Sequence, residues 1–138
     1  MRNDGTASQD YFIAMMDAKP KHKVFRMRDK KDLMGLNRGR KVAAFPLPSD
    51  YIVARPGGQF FAEVKSSSDE TRFPYGNIEP GQRAAASMCA ACDSPYWFFI
   101  HSLKLNRWFQ LSGKDFYSDV KAGKKSRRWD ELEPCTFF

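Results

Sequence analysis

Asp50-Tyr51-Ile52-Val53-Ala54-Arg55-Pro56-Gly57-Gly58-Gln59-Phe60-Phe61-Ala62-Glu63-Val64-Lys65 is the stretch on which the reading of the whole chain turns. Residues 50–55 are short, β-branched and aromatic, as a strand should be. Gly57-Gly58 is a two-residue hairpin signal, and residues 59–67 read as the returning strand. With Gly57-Gly58 as the loop, Pro56 pairs with Gln59 and Asp50 falls opposite Lys65. Side chains alternate along a strand, so Asp50, Glu63 and Lys65 then share one face, while Ala62 and Val64 point to the other. Two carboxylates converging on one face can hold a hard cation such as Mg²⁺ through oxygen ligands. A lysine beside them can orient a water and stabilise charge on a phosphate.

Working outward, residues 5–17 read as a helix. Thr6 or Ser8 serves as its cap, and Phe12, Met15 and Met16 lie at helical spacing. Residues 24–28 read as a half-exposed strand. Residues 29–40 are polar, with Gly35 and Gly39, and suggest a loop or a projecting arm. Residues 66–76 are polar and read as a loop. Pro80 opens a second helix at the position that favours proline; it ends near Asp93-Ser94-Pro95. Residues 96–100 and 108–111 are strands by composition, residues 114–121 a short helix, and the tail is mixed. The order is helix, strand, hairpin, helix, strand, strand, helix. It predicts an α/β fold with a mixed central sheet flanked by helices.

The chain has 138 residues and a net charge of +7, with 42% hydrophobic residues. That suits one domain with a substantial core. The three cysteines make no disulfide framework. No apolar run approaches a membrane span, and no apolar segment follows the first residues as a secretion signal would require. We therefore expect a protein of a reducing compartment, cytoplasmic in a bacterial cell or in a host cell, with no membrane partner and no small-molecule cofactor. There is no glycine-rich phosphate loop and no pattern of a nucleophilic triad.

The charge is uneven. Residues 1–49 carry 11 basic and 5 acidic side chains, and the excess between Lys19 and Lys41 reaches +8. A second basic cluster runs over Lys121, Lys124, Lys125, Arg127 and Arg128. Such stripes attract polyanions. Cys89 and Cys92 form a C-x-x-C, but a structural zinc needs four ligands and no second pair exists, so small core-facing thiols are the expected role. His101 reads as a strand-end histidine and Trp97, Phe98 and Phe99 as core. Tyr75, in the 66–76 loop, is the better base-stacking candidate. Glu79, just before Pro80, suits either a helix-start charge or a functional acid.

Helix, strand, acid-bearing hairpin, helix and strand is the order of the PD-(D/E)xK nucleases. Pro48-Ser49-Asp50-Tyr51, Phe61-Ala62-Glu63-Val64-Lys65-Ser66-Ser67 and Arg72-Phe73-Pro74-Tyr75-Gly76-Asn77-Ile78 resemble the RecU-type Holliday-junction resolvases. Gln82 and residues 123–132 fit the same pattern. The likeness covers residues 48–134 well and the first 47 loosely.

The resemblance implies a restriction-endonuclease-like fold over residues 1–138 as a single nuclease domain. A projecting arm at 29–47 would enter the junction, and 121–138 would be a basic and mixed C-terminal segment. It implies a homodimer that cuts branched DNA, resolving four-way junctions by paired symmetric nicks that leave 5′-phosphate and 3′-hydroxyl ends. Asp50, Glu63 and the Val64 backbone carbonyl would hold Mg²⁺, for which Mn²⁺ can substitute. Lys65 would position the attacking water, and Gln82 would support the lysine or the water. The family's first helix usually brings a glutamate to the metal. Here Gln9 stands in its place with Asp10 beside it, which leaves the helix-1 ligand and the number of metals open. Lys30, Lys31, Arg38, Arg40, Lys41, Arg72, Tyr75, Lys124, Lys125, Arg127 and Arg128 would contact DNA. The same site also suits a sequence-specific or repair-type duplex endonuclease. A junction-binding protein without turnover shares the fold, but the intact Asp50, Glu63 and Lys65 argue against it.

Overall fold

The computed structural model describes residues 4–27 and 47–138. Its elements are α1 (Asp4–Asp17), β1 (Lys23–Arg26), β2 (Tyr51–Arg55), β3 (Gly58–Ser67), β4 (Arg72–Pro74), α2 (Pro80–Ala91), β5 (Tyr96–Ser102), β6 (Arg107–Ser112), α3 (Gly113–Lys121), β7 (Ser126–Arg128) and β8 (Glu133–Pro134). Short 3₁₀ turns follow β4 at Tyr75–Asn77 and β7 at Trp129–Glu131. Six strands form one sheet in the order β1-β2-β3-β5-β6-β8, and β4 pairs with β7 separately. Only the β3–β5 junction is parallel; the other pairs of the large sheet are antiparallel. A parallel step needs a crossover, and β4 and α2 supply it. The architecture is the mixed α/β sheet flanked by helices that the sequence order predicts.

The hairpin differs from expectation in one detail. Arg55 pairs with Gly58, so the loop residues are Pro56 and Gly57, not Gly57 and Gly58. Proline has no N–H to give a ladder, but its fixed φ suits the first corner of a turn. Gly57, at φ +92°, takes the second corner, which demands a positive φ. Tyr51 therefore pairs with Ala62, and the ladder continued by one residue sets Asp50 opposite Glu63 rather than Lys65. The shift moves the pairing by two positions, so Asp50, Glu63 and Lys65 still share a face.

Both faces of the sheet are covered. On one, Phe12 and Met16 of α1 pack with Val53, Phe60, Val64, Phe99 and Phe137. The Phe12 and Phe99 rings lie 4.8 Å apart. On the other, α2 and α3 cover Phe98, Ile100, Phe109 and Leu111. Gly113 is required there: a Cβ on it would lie 3.0 Å from Tyr96 Cβ and 3.3 Å from the Ala86 carbonyl oxygen. β3 is buried on both faces at its centre, where Ala62 and Glu63 have no exposed surface.

Several local readings are corrected. Ser8 does not cap α1; it lies inside the helix, and its Oγ sits 2.9 Å from His101 Nδ1. His101 also stacks on Trp108 at 4.7 Å, a packing role. The polar stretch 66–76 is not one loop: β3 runs to Ser67, and residues 72–77 form β4 and a 3₁₀ turn. The mixed tail is ordered too, because Arg127 and its neighbours pair with β4 and Glu133 with β6. No helix among the described residues is long and apolar enough to cross a membrane.

Beneath α3 lies a buried polar tie. The Tyr75 hydroxyl donates to Asp119 Oδ2. Arg127 donates to the same carboxylate through Nε, at 2.7 Å, and Nη2, at 3.2 Å. Burial works to raise the Asp119 pKa, but the bonds from Arg127 and Tyr75 outweigh it and hold the carboxyl below its ordinary value. A carboxylate with a depressed pKa adds stability that is present above the unfolded-state pKa and lost as pH falls through the folded one. Asp119→Ala is expected to destabilise the fold by about 2–4 kcal/mol at pH 7. The deficit relative to the unchanged protein should shrink as pH falls below 4, which denaturant titrations at pH 7 and pH 3.5 would measure.

Candidate active site

Glu63 is the centre of the site. It has no exposed surface, and it rises from β3 on the side covered by α2. Its Oε1 accepts from Gln82 Nε2 at 2.9 Å, and its Oε2 from the Asp50 backbone N–H at 3.2 Å. Gln82 is held at both ends. Its amide oxygen accepts from the Glu79 N–H at 3.1 Å, which turns its NH₂ group toward Glu63. Gln82 thus braces the buried carboxylate; it does not touch Lys65. Glu79 marks the start of α2 and brings no side chain into the site.

The Asp50 side chain stands beside Glu63, half-buried at the start of β2. Gln9 Nε2, from α1, lies 3.4 Å from Asp50 Oδ2. Of the two helix-1 candidates Gln9 makes this contact, while Asp10 is exposed and lies near enough for its charge to raise the Tyr51 hydroxyl. The segment carrying Asp50 is anchored twice. Tyr96 donates its hydroxyl to the Pro48 carbonyl, and Ser49 Oγ donates to the Tyr51 carbonyl at 2.7 Å. Sequence reasoning missed Tyr96, since only the parallel β3–β5 register brings it under Pro48. Lys65 is half-buried and has no hydrogen bond or ion pair among the described residues. Its charge favours the ionised form of Glu63.

Burial, and then the adjacent Asp50 carboxyl, push the Glu63 pKa from about 4.5 up to about 9. The Tyr51 hydroxyl is raised to about 12, again by burial first and Asp50 second. A buried carboxyl whose ionisation a neighbouring carboxyl opposes is what a divalent cation between the two would relieve. The donors brought together are oxygens: the Asp50 and Glu63 carboxyls, with the Gln9 amide beside them. That donor set fits Mg²⁺, which takes few protein ligands and keeps several waters. The described residues hold no cluster of three or more His, Cys, Asp or Glu side chains arranged for a metal, so carboxylates alone do not complete a coordination shell.

The remaining sequence candidates divide. Lys30, Lys31, Arg38, Arg40 and Lys41, and nearly all of the 29–47 arm, lie outside the described residues. Tyr75 is not a stacking platform, because its ring is enclosed at 2% exposure against Phe116. Arg127 is committed to Asp119, and Arg128 pairs with Asp130 at 3.1 Å. Lys124 reaches Glu131 at 3.2 Å. Arg72, on β4, and Lys125 are exposed. Cys89 is buried and Cys92 exposed, both as free thiols.

No protein-family model matches the chain, and no curated protein matches it. Among solved structures it is similar to Hjc of Archaeoglobus fulgidus, a Holliday junction resolvase from an archaeal hyperthermophile. The TM-score is 0.51 and the identity 12%, over 80% of this chain and 78% of that one. At that identity the likeness is one of fold, and the fold is restriction-endonuclease-like.

A carboxyl with a raised pKa sets the sign of a stability test. Between pH 4.5 and 9 unfolding lets Glu63 ionise, so this residue lowers stability progressively as pH rises. Glu63→Gln removes the ionisable group and keeps one oxygen for Gln82; its NH₂ can donate to the Asp50 carboxylate, at the cost of the acceptor for the Asp50 N–H. Without divalent metal it should be more stable than the unchanged protein by about 1–3 kcal/mol at pH 8. The gain should fall toward zero at pH 4.5, as thermal melts across that range would record.

Proposed function

We propose that the protein is a Mg²⁺-dependent endodeoxyribonuclease that resolves four-way DNA junctions by paired symmetric nicks, acting as a homodimer. The observation that carries this reading is the buried Glu63 carboxyl, braced by Gln82 and the Asp50 N–H beside a second carboxyl, on a sheet with the fold of a junction resolvase. The local motifs resemble the RecU-type resolvases, which supports the same substrate. A +7 net charge suits a polyanionic partner.

Asp50 and Glu63, with the Val64 carbonyl and the Gln9 amide oxygen, would hold the cation. Bound there, it supplies charge stabilisation for the phosphate under attack. Lys65, on the same face, orients the attacking water and offsets the developing negative charge. Gln82 keeps Glu63 from turning away when it ionises. Gln9 fixes the Asp50 rotamer from the far side. Tyr96 holds Pro48, so that the residues leading into Asp50 do not drift.

A labelled four-way junction and a linear duplex of the same arm sequence, incubated with Mg²⁺, test this reading. Paired symmetric nicks in the junction alone are expected. Asp50→Asn should lose at least about a thousandfold of the rate while binding DNA as before, the order seen when a charge-stabilising group is removed. Equal cutting of the duplex would favour a duplex endonuclease. Tight junction binding with no cutting in Mg²⁺ or Mn²⁺ would leave a binding protein, and full activity of Asp50→Asn would refute the site.

A further inference from the structure

A second feature lies one residue along α2 from Gln82. A groove of about 370 Å³ is framed by the Tyr75–Asn77 turn, the start of α2 and the end of α3. Its lining includes Gly76, Arg83, Val120, Gly123, Lys124 and Lys125, and no acidic residue. A groove of about 390 Å³ beside Trp129 carries Glu70 and Asp130, so freedom from carboxylates distinguishes the first.

Each part of this groove has a physical reason to be as it is. The Arg83 guanidinium is fixed by its own backbone surroundings: Nε donates to the Ile78 carbonyl at 3.0 Å and Nη2 to the Tyr75 carbonyl. Its other N–H groups have no partner among the described residues. Such a preset fork suits a phosphate better than a freely moving chain does. Lys125 is exposed and makes no side-chain bond among the described residues, while its carbonyl accepts from the Tyr75 N–H at 2.9 Å and fixes its backbone. Val120 is 42% exposed, an apolar surface between cations. Gly76 and Gly123 line the groove, and a Cβ added at either would meet nothing within 4 Å, so each faces open space. The nearest buried carboxylate, Asp119, is occupied by Tyr75 and Arg127 and adds no free charge.

We propose that this groove is a docking channel for one DNA strand running past the carboxylate site. Arg83 and Lys125 take successive phosphates, and Val120 takes the sugar face between them. The inference rests on the nucleic-acid reading above and adds to it the path of the strand and the residues that hold it. It also reassigns the sequence candidates: Tyr75 lines the floor of the channel, Arg127 stays with Asp119, and Lys125 and Arg83 make the contact.

Binding of a fluorescent four-way junction, measured by anisotropy without divalent metal over a range of NaCl concentrations, tests it. Lys125→Glu should weaken binding about tenfold and reduce the log–log salt slope by about one. Gly76→Trp fills the channel without changing charge and should weaken binding by a comparable factor. Lys114→Glu makes the same charge change at a residue that pairs with Asp93 ahead of β5, and should bind within about twofold of the unchanged protein, as a remote screened charge does. If Lys125→Glu and Lys114→Glu weaken binding equally, or if Gly76→Trp binds normally, the channel is refuted while the nuclease reading stands. If the unchanged protein binds no DNA, both fall together.

Discussion

Glu63 carries an ionisable group into a place where a charge is costly. It stands on β3, which pairs antiparallel with β2 on one side and parallel with β5 on the other, and helices close off both faces around it. A carboxylate there has to be met by fixed dipoles or by a cation. Gln82 and the Asp50 N–H meet its two oxygens, yet the Asp50 carboxyl beside it works against its ionisation. The placement of α2 serves this arrangement: its first turn delivers Gln82, and Glu79 sets which way the amide points. The turn at Pro56-Gly57 serves it as well, since that register alone brings Asp50 directly across from Glu63. The carboxyl is thus held in place by its neighbours while burial and the Asp50 carboxyl oppose its ionisation, a setting in which a cation bound under the proposed function would relieve the opposition.

The second polar centre has the opposite character. Asp119 accepts from both Tyr75 and Arg127 and so ties α3, the turn after β4 and β7 into one body. That tie explains why part of the C-terminal basic cluster is structural. Arg127 and, less strongly, Lys124 and Arg128 neutralise carboxylates within the fold. Lys125 of that cluster makes no such pair among the described residues, and with Arg83 of α2 it borders the acid-free groove beside the Tyr75–Asn77 turn.

Much of this was legible from the residues. The alternation on either side of Gly57-Gly58 gave the hairpin, and parity alone put Asp50, Glu63 and Lys65 on one face whichever two residues form the turn. Pro80 and the alanine run marked α2, and the aromatic runs marked β5 and β6. What the chain could not reveal locally came from pairings between distant segments. Strands β4, β7 and β8 are two or three residues long and lack any period; they exist because tertiary partners complete their ladders. Tyr75 reads as a loop aromatic because its partners Phe116 and Asp119 lie more than forty residues away. Ser8 reads as a cap because its partner His101 lies across the sheet. Gln82 is expected from the sequence to support the lysine or the water; the bond it makes is to the Glu63 carboxyl, nineteen residues away.

The central claim is that Asp50 and Glu63 together form one divalent-cation site, and direct titration tests it without any assumption about substrate. Mn²⁺ added to the protein at pH 7.5, with free ion followed by its paramagnetic resonance signal, should reveal one site per chain that Mg²⁺ displaces. That site should be lost in both Asp50→Asn and Glu63→Gln, with the fold intact by circular dichroism. Equal Mn²⁺ binding by the unchanged protein and the two variants, or no binding by any of them, would contradict the account.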